Sequence, residues 1–312
     1  MLRRALLYLS EKDEVKRALL KTRAARGMAE RFVAGEDLRT ALGAVKSLNA
    51  EGFRVTLDYL GESVRDEKEA ARCADAYVES LERIAESTAE STISLKPTQL
   101  GLDISLDVCV EHLIRIVDSA ADVGSFVRID MEGSRHLQTT LDAFRRVFPE
   151  RRNVGVVIQS YMLRSERDVT ELLDEGAAVR LCKGAYKESG DVAYQRKADI
   201  DANFVHLGRR LLGAATVDRI VGGVPPVGIA THDDAMIRAL RSFADSHAVP
   251  VDAFEFQMLY GVRRDVQHDL IRAGYHVRIY VPYGTEWYPY FMRRMAERPA
   301  NLLFVARAIA GK

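Results

Sequence analysis

The sequence predicts an α/β fold closed into a (βα)8 barrel, with a helical extension before it and a helix after it. Three observations predict this. Short β-branched or apolar runs recur eight times along the 312 residues. Each is followed by a segment of helical periodicity, and strands alternating with helices of that length specify βα units on a parallel sheet. Eight such units in one chain favour closure over an open, doubly wound sheet.

The elements follow in order. Residues 1–50 are read as an N-terminal helical segment and residues 51–312 as the catalytic barrel. The opening "MLRRALLYLSEKDEVKR" has an apolar run of only about six residues with acids at once behind it, too short for a signal-peptide core, and is read as a helix. Strand one is "FRVTLDYL" from Phe53, with a helix over 65–87. Strand two is "STISLKP" from Ser91, with a helix over 106–121, and strand three is "SFVRIDME" from Ser125, with a helix over 135–148. Strand four is "NVGVVIQS" from Asn153, before a helix over 166–175, and strand five is "AAVRLCKG" from Ala177, before one over 203–214. "PVGIATH" from Pro226, "AFEFQML" from Ala253 and "HVRIYVP" from His276 complete the set, with helices over 234–246, 262–273 and 286–298. The last helix stops before Pro299, because the residue preceding proline is pushed out of the α region. "NLLFVARAIAGK" is expected to add a short helix.

Composition removes several function classes. Lys and Arg total 45 and Asp and Glu total 45, a zero formal charge that argues against general nucleic-acid binding. The chain is 47% hydrophobic, enough for a sizeable core. No apolar run approaches the roughly 18 residues of a membrane helix. Cys73, Cys109 and Cys182 are odd in number and scattered, which suits a reducing cytosol. Neither these cysteines nor the seven histidines show metal-ligand spacing, so no metal is expected. No GxGxxG follows a strand, which leaves a Rossmann nicotinamide site unsupported.

A barrel carries its active site at the C-terminal ends of its strands. Polar residues gather there: Asp58 and Glu62, Lys96, Asp130 and Glu132, Gln159 and Tyr161, then Arg180, Lys183 and Tyr186. Thr231 and His232, Glu255 and Gln257, Tyr280 and Tyr283 follow on strands six to eight. Several charges sit inside otherwise apolar strands, where each needs a partner or a ligand. Arg180 reads equally as a barrel-lining ion pair with Asp130 and as a cation favouring an electron-rich flavin. Lys183 or Lys96 would serve as the nucleophile of a Schiff-base aldolase, while Lys96 could also simply snorkel to water. "THDD" offers backbone N–H groups to a phosphate, or a plain helix cap by Thr231, Asp233 or Asp234. Tyr280 reads as barrel filling or as a flat surface for stacking on a ring. In "WYPYFMRRMAERPAN" the stripe Tyr290, Arg293, Arg294 and Glu297 reads as a solvated face with i,i+4 pairs, or as a clamp for a carboxylate. Its place after strand eight turns it inward.

Together "DYLGE", "SLKP", "RIDMEG", "VRLCKGAY", "GIATHDD", "EFQMLYG" and "RIYVPYGTEWYPYFMRRMAERPAN" resemble proline dehydrogenase in its short monofunctional bacterial form, in order from Asp58 to Asn301. The resemblance implies a distorted (βα)8 TIM barrel holding FAD. It implies oxidation of L-proline to Δ1-pyrroline-5-carboxylate, the first step of proline catabolism to glutamate. Electrons would pass to a membrane quinone from a cytoplasmic protein that meets the inner membrane peripherally, without stable insertion. By position, Arg293, Arg294 and Lys96 match the residues on the substrate carboxylate, with Glu297 and Tyr290 holding the arginines. Tyr280 matches the tyrosine on the proline ring. Arg180 matches the arginine beside the flavin's reactive nitrogen, and Asp130 the aspartate of the same pocket. Met131, Gln159, Lys183, Gly184, Ala185, Thr231 and His232 match cofactor contacts, and Glu62 a gating acid. Larger bifunctional relatives carry two more residues between the tyrosine and the arginine pair, and an aromatic where this chain has Lys187. Asp233 stands where Asn often follows "TH".

Overall fold

The structure is a computed structural model that describes residues 30–297. The helices expected over the first 29 residues and over "NLLFVARAIAGK" lie outside the described residues, as does the side chain of Glu297.

Eight parallel strands close in sequence order, β1 hydrogen-bonded to both β2 and β8. They are β1 (Arg54–Tyr59), β2 (Thr92–Leu95), β3 (Val127–Ile129), β4 (Val154–Gln159), β5 (Ala178–Cys182), β6 (Val227–Ala230), β7 (Phe254–Leu259) and β8 (Val277–Tyr283). Helix α1 (Leu38–Ala50) precedes them. The outer helices are α2 (Glu67–Ala85), α3 (Leu106–Asp122), α4 (Ser134–Val147), α5 (Ser165–Glu175), α6 (Lys197–Gly213), α7 (Asp234–Ser246), α8 (Arg264–Arg272) and α9 (Trp287–Glu297). Local chemistry sets several starts. The side chains of Asp37, Asp66 and Ser105 accept hydrogen bonds from the backbone N–H of Thr40, Glu69 and Val108, capping α1, α2 and α3. Helix α6 begins earlier than the periodicity suggests, because its first turn is polar and only Phe204 onward carries a buried stripe. Ala41, Val45 and Leu48 of α1 join the same core as β1 and β8, so position 50 separates elements but not cores.

The strands alternate with period two. Val55, Leu57, Ile93, Leu95, Val127, Ile129, Val179, Leu181, Val277 and Ile279 are buried in the shell between sheet and helices. The alternate residues point into the barrel, and many are polar. Branched aliphatics usually fill such a barrel; here a hydrogen-bonded thread does. Arg278 donates to both oxygens of Glu255 (2.6 and 3.1 Å), and Gln257 donates to Glu255 Oε1 (2.7 Å). Arg180 then donates through Nε to Gln257 Oε1 and through Nη1 to Asp130 (2.7 Å) and Ser94 (3.0 Å). Tyr280 donates to the second oxygen of Asp130 (2.8 Å). Bonds from β5 to β2, two non-neighbouring strands, can only cross the interior. Glu255 is the second residue of β7, so it belongs to the N-terminal end of the barrel and not, as expected, to the site end. Arg128 lies beside it with no carboxylate of its own among the described residues: Nη1 donates to the Ala178 carbonyl (2.6 Å), and the guanidinium covers the Phe126 ring. Burial pushes its pKa down to about 9. Gly155 makes this possible, since a Cβ there would sit 2.4 Å from the Arg128 guanidinium.

Candidate active site

A cavity of about 690 Å³ opens at the C-terminal ends of the strands. Its floor is the top of the polar thread. Lys96, at the end of β2, is 7% exposed and donates to both oxygens of Asp58, at 2.8 and 2.9 Å. It does not snorkel to water. Burial works against its charge, but the carboxylates of Asp58, Asp130 and Glu62 together outweigh burial and raise its pKa. An amine nucleophile needs the opposite shift. Lys183 is likewise held, between Asp201 (2.5 Å) and Asp233 (2.7 Å). Neither lysine is set up for a Schiff base. Arg180 and Asp130 form the ion pair expected as one reading of this strand, and both line the cavity. Tyr280 presents its ring to the Arg180 guanidinium, 5.4 Å from the centroid.

Helix α9 roofs this floor. Trp287, Tyr288, Phe291 and Met292 are buried, so the helix has no solvated face at those positions. Tyr290, Arg293 and Arg294 line the cavity, which answers the question posed by their stripe: it faces inward. The Arg294 guanidinium lies over the Tyr290 ring, 5.2 Å from its centroid. Arg293 pairs with Glu62, from the loop after β1, at 2.9 and 3.2 Å. Burial raises the Glu62 pKa, but the charge and hydrogen bond of Arg293, with the Lys96 charge, together outweigh it and leave the carboxyl below its usual range. Backbone of Glu297 closes the helix; the role expected for its side chain falls outside the described residues.

The far wall is built differently. Met131, Gln159, Gly184, Ala185, Thr231 and His232 all line it. Gln159 donates to the Met131 carbonyl (2.9 Å), while its buried Oε1 has no acceptor bond among the described residues. His232 Nε2 accepts from the Leu259 N–H (2.9 Å), which leaves the ring proton on Nδ1. Asp233, the expected alternative cap, is the one that caps α7 through Ala235 N–H (3.0 Å). Gly184 has φ +110°, and a Cβ there would lie 2.3 Å from the Tyr161 ring. Gly184→Ala is therefore expected to destabilise the fold by on the order of 1–3 kcal/mol in urea unfolding; an unchanged midpoint would count against this packing.

The proline dehydrogenase family model matches residues 41–307. The chain belongs to the proline dehydrogenase family. Over 312 residues, all of both chains, it is 40% identical to proline dehydrogenase 1 of Bacillus subtilis subsp. natto. It is 36% identical to the proline dehydrogenase of Deinococcus radiodurans, covering 98% of this chain and 97% of that one. Among solved structures it resembles proline utilization A (PutA) from Bdellovibrio bacteriovorus inactivated by N-propargylglycine, with TM-score 0.79 and 27% identity. That likeness covers 88% of this chain but 33% of the PutA chain, so this family member spans about a third of its length.

Within this proline dehydrogenase family member, residues from seven strand ends and α9 meet in one cavity. Reading the sequence missed the acids that hold the lysines. Asp58 was visible only as a polar strand end, and Asp201 carried no signal beyond its i,i+4 spacing from Lys197. Tyr283, a further strand-end residue, turns away and bonds Ser80 of α2 (2.7 Å). The far wall fits a flavin on its own chemistry: Gln159 Oε1 is a buried acceptor awaiting an N–H, and the isoalloxazine ring carries one.

Proposed function

We propose that this chain oxidises L-proline to Δ1-pyrroline-5-carboxylate with FAD and passes the electrons to a membrane quinone. One observation carries the reading. Barrel order divides the cavity lining into two unlike groups: Lys96 after β2, Tyr280 on β8 and Arg293 and Arg294 on α9 at one side, and Gln159, Gly184, Thr231 and His232 at the ends of β4, β5 and β6 across from them. The first suits a small carboxylate next to an apolar ring. The second would suit a large planar cofactor, with Met131, Gln159, Lys183, Gly184, Ala185, Thr231 and His232 to hold it.

Bound there, FAD supplies the two-electron acceptor for a hydride from the ring carbon next to nitrogen. The residues supply the rest. Planar guanidinium forks on Arg293 and Arg294 hold the carboxylate in a fixed plane. The hydride can leave only when the nitrogen lone pair is free to form the C=N bond, so proline must react as the amine, its ammonium proton having been released to bulk water before the site closes over it. Asp130 already accepts from Arg180, Ser94 and Tyr280, which leaves one of its roughly four acceptor positions for the remaining N–H. Arg180 places a fixed cation where negative charge arrives. The apolar face of α9 excludes water above. Quinone contact is assigned to a peripheral encounter with the membrane by a cytoplasmic protein. No helix of the described residues is long and apolar enough to cross a membrane.

The purified protein is expected to be yellow, with bands near about 380 and 450 nm as a flavin requires, and L-proline should bleach the second band. A colourless preparation that stays inert after FAD is added would overturn the reading.

A further inference from the structure

Four charges interlock on the cavity wall at the start of α7. Lys183 Nζ donates to Asp201 (2.5 Å) and Asp233 (2.7 Å). Lys197 donates to the other oxygen of Asp201 and approaches Asp233 at 3.5 Å. Two cations and two anions cancel. Lys183, Lys197 and Asp233 all line the cavity. The remaining cavity cations among the described residues are elsewhere: Lys96, Arg293 and Arg294 at the substrate end, and Arg180 in the floor on Asp130. A dinucleotide bound here brings a doubly charged pyrophosphate, and Lys183 and Lys197 are the cations left to meet it. They meet it already neutralised. Burial works against the charge of Asp233, yet hydrogen bonds from Lys183 and Ala235 hold its pKa down to about 2, so it is ionised at neutral pH.

We propose that Asp233 is a resident counter-anion that sets the affinity of this chain for its flavin dinucleotide, holding Lys183 until the pyrophosphate displaces it. The proposal rests on the FAD reading above. It explains a residue whose structural duty would be met without charge: the cap to Ala235 needs only an oxygen, which Asn supplies equally well.

The test is FAD titration of apoprotein, followed by calorimetry and by quenching of flavin fluorescence, with no turnover required. Asp233→Asn is expected to tighten binding by about tenfold at low salt, as removal of one charge a few ångströms from a phosphate should. The variant should also show a steeper loss of affinity with added salt than wild type. Asp201→Asn, which frees the same two lysines, should move in the same direction. Asp234→Asn is the control. Its carboxylate pairs with Arg263, at 3.1 and 3.2 Å, and does not line the cavity. Unchanged or weaker binding by Asp233→Asn, with wild type binding normally, overturns the proposal. An equal gain in Asp234→Asn also overturns it, since net charge at the helix end would then suffice. If neither wild type nor any variant binds FAD, the flavin reading itself fails.

Discussion

Arg294→Met should raise the KM for proline at least tenfold, equivalent to about 1.4 kcal/mol or more of lost binding. Methionine keeps much of the length and apolar stem while removing the fork, so the roof over the cavity should persist. The flavin spectrum should be unaltered, because Arg294 lies at the substrate end with Tyr290. Two results are separable. A rise in KM with little change in kcat assigns Arg294 to uniform binding of the carboxylate; a fall in both assigns part of its grip to the transition state. A KM equal to that of wild type would remove the clamp from the mechanism.

Glu255→Gln should destabilise the protein by about 3–5 kcal/mol, the usual cost of removing one partner of a buried ion pair. Glu255 is 0% exposed and serves Arg278, Arg54 and Gln257 together. Glutamine fits the volume but leaves the Arg278 guanidinium, 4% exposed as a residue, without a counter-charge. Denaturant unfolding at neutral pH measures it. The pH dependence has a defined sign. Burial raises the Glu255 pKa, but the Arg278 charge and hydrogen bonds outweigh it, so the folded value lies below the usual carboxylate range. Its contribution is then complete above the unfolded pKa of about 4.5 and is lost as pH falls through the folded value. The gap between wild type and variant should therefore close on acidification. Equal stability at pH 7 would show that the thread tolerates a neutral link.

The two predictions divide along the line between what the sequence displays and what it conceals. All eight strands were legible because outward residues such as Val55, Ile93 and Val277 meet the helical shell and must be apolar. The arginine stripe of α9 was legible as chemistry, but its direction came only from its place after β8. Pairings were not legible. Lys96 finds Asp58, Arg180 finds Asp130 and Lys183 finds Asp233 across separations set by barrel closure and not by local spacing. Position along the strand misled once, for Glu255. A charged residue inside a barrel strand is equally polar whether it faces the catalytic mouth or the closed end.

The bond between Glu62 and Arg293 has a consequence for how the enzyme responds to supply. A carboxylate tethered beside its own binding site competes as a ligand of roughly millimolar effective concentration. In the function proposed above, proline takes Arg293 only in molecules where Glu62 has let go, so the pair raises the apparent Kd for proline by the inverse of that fraction. On that proposal the chain carries an internal rival to its substrate, which shifts the whole saturation curve to higher proline and leaves scarce proline for other uses.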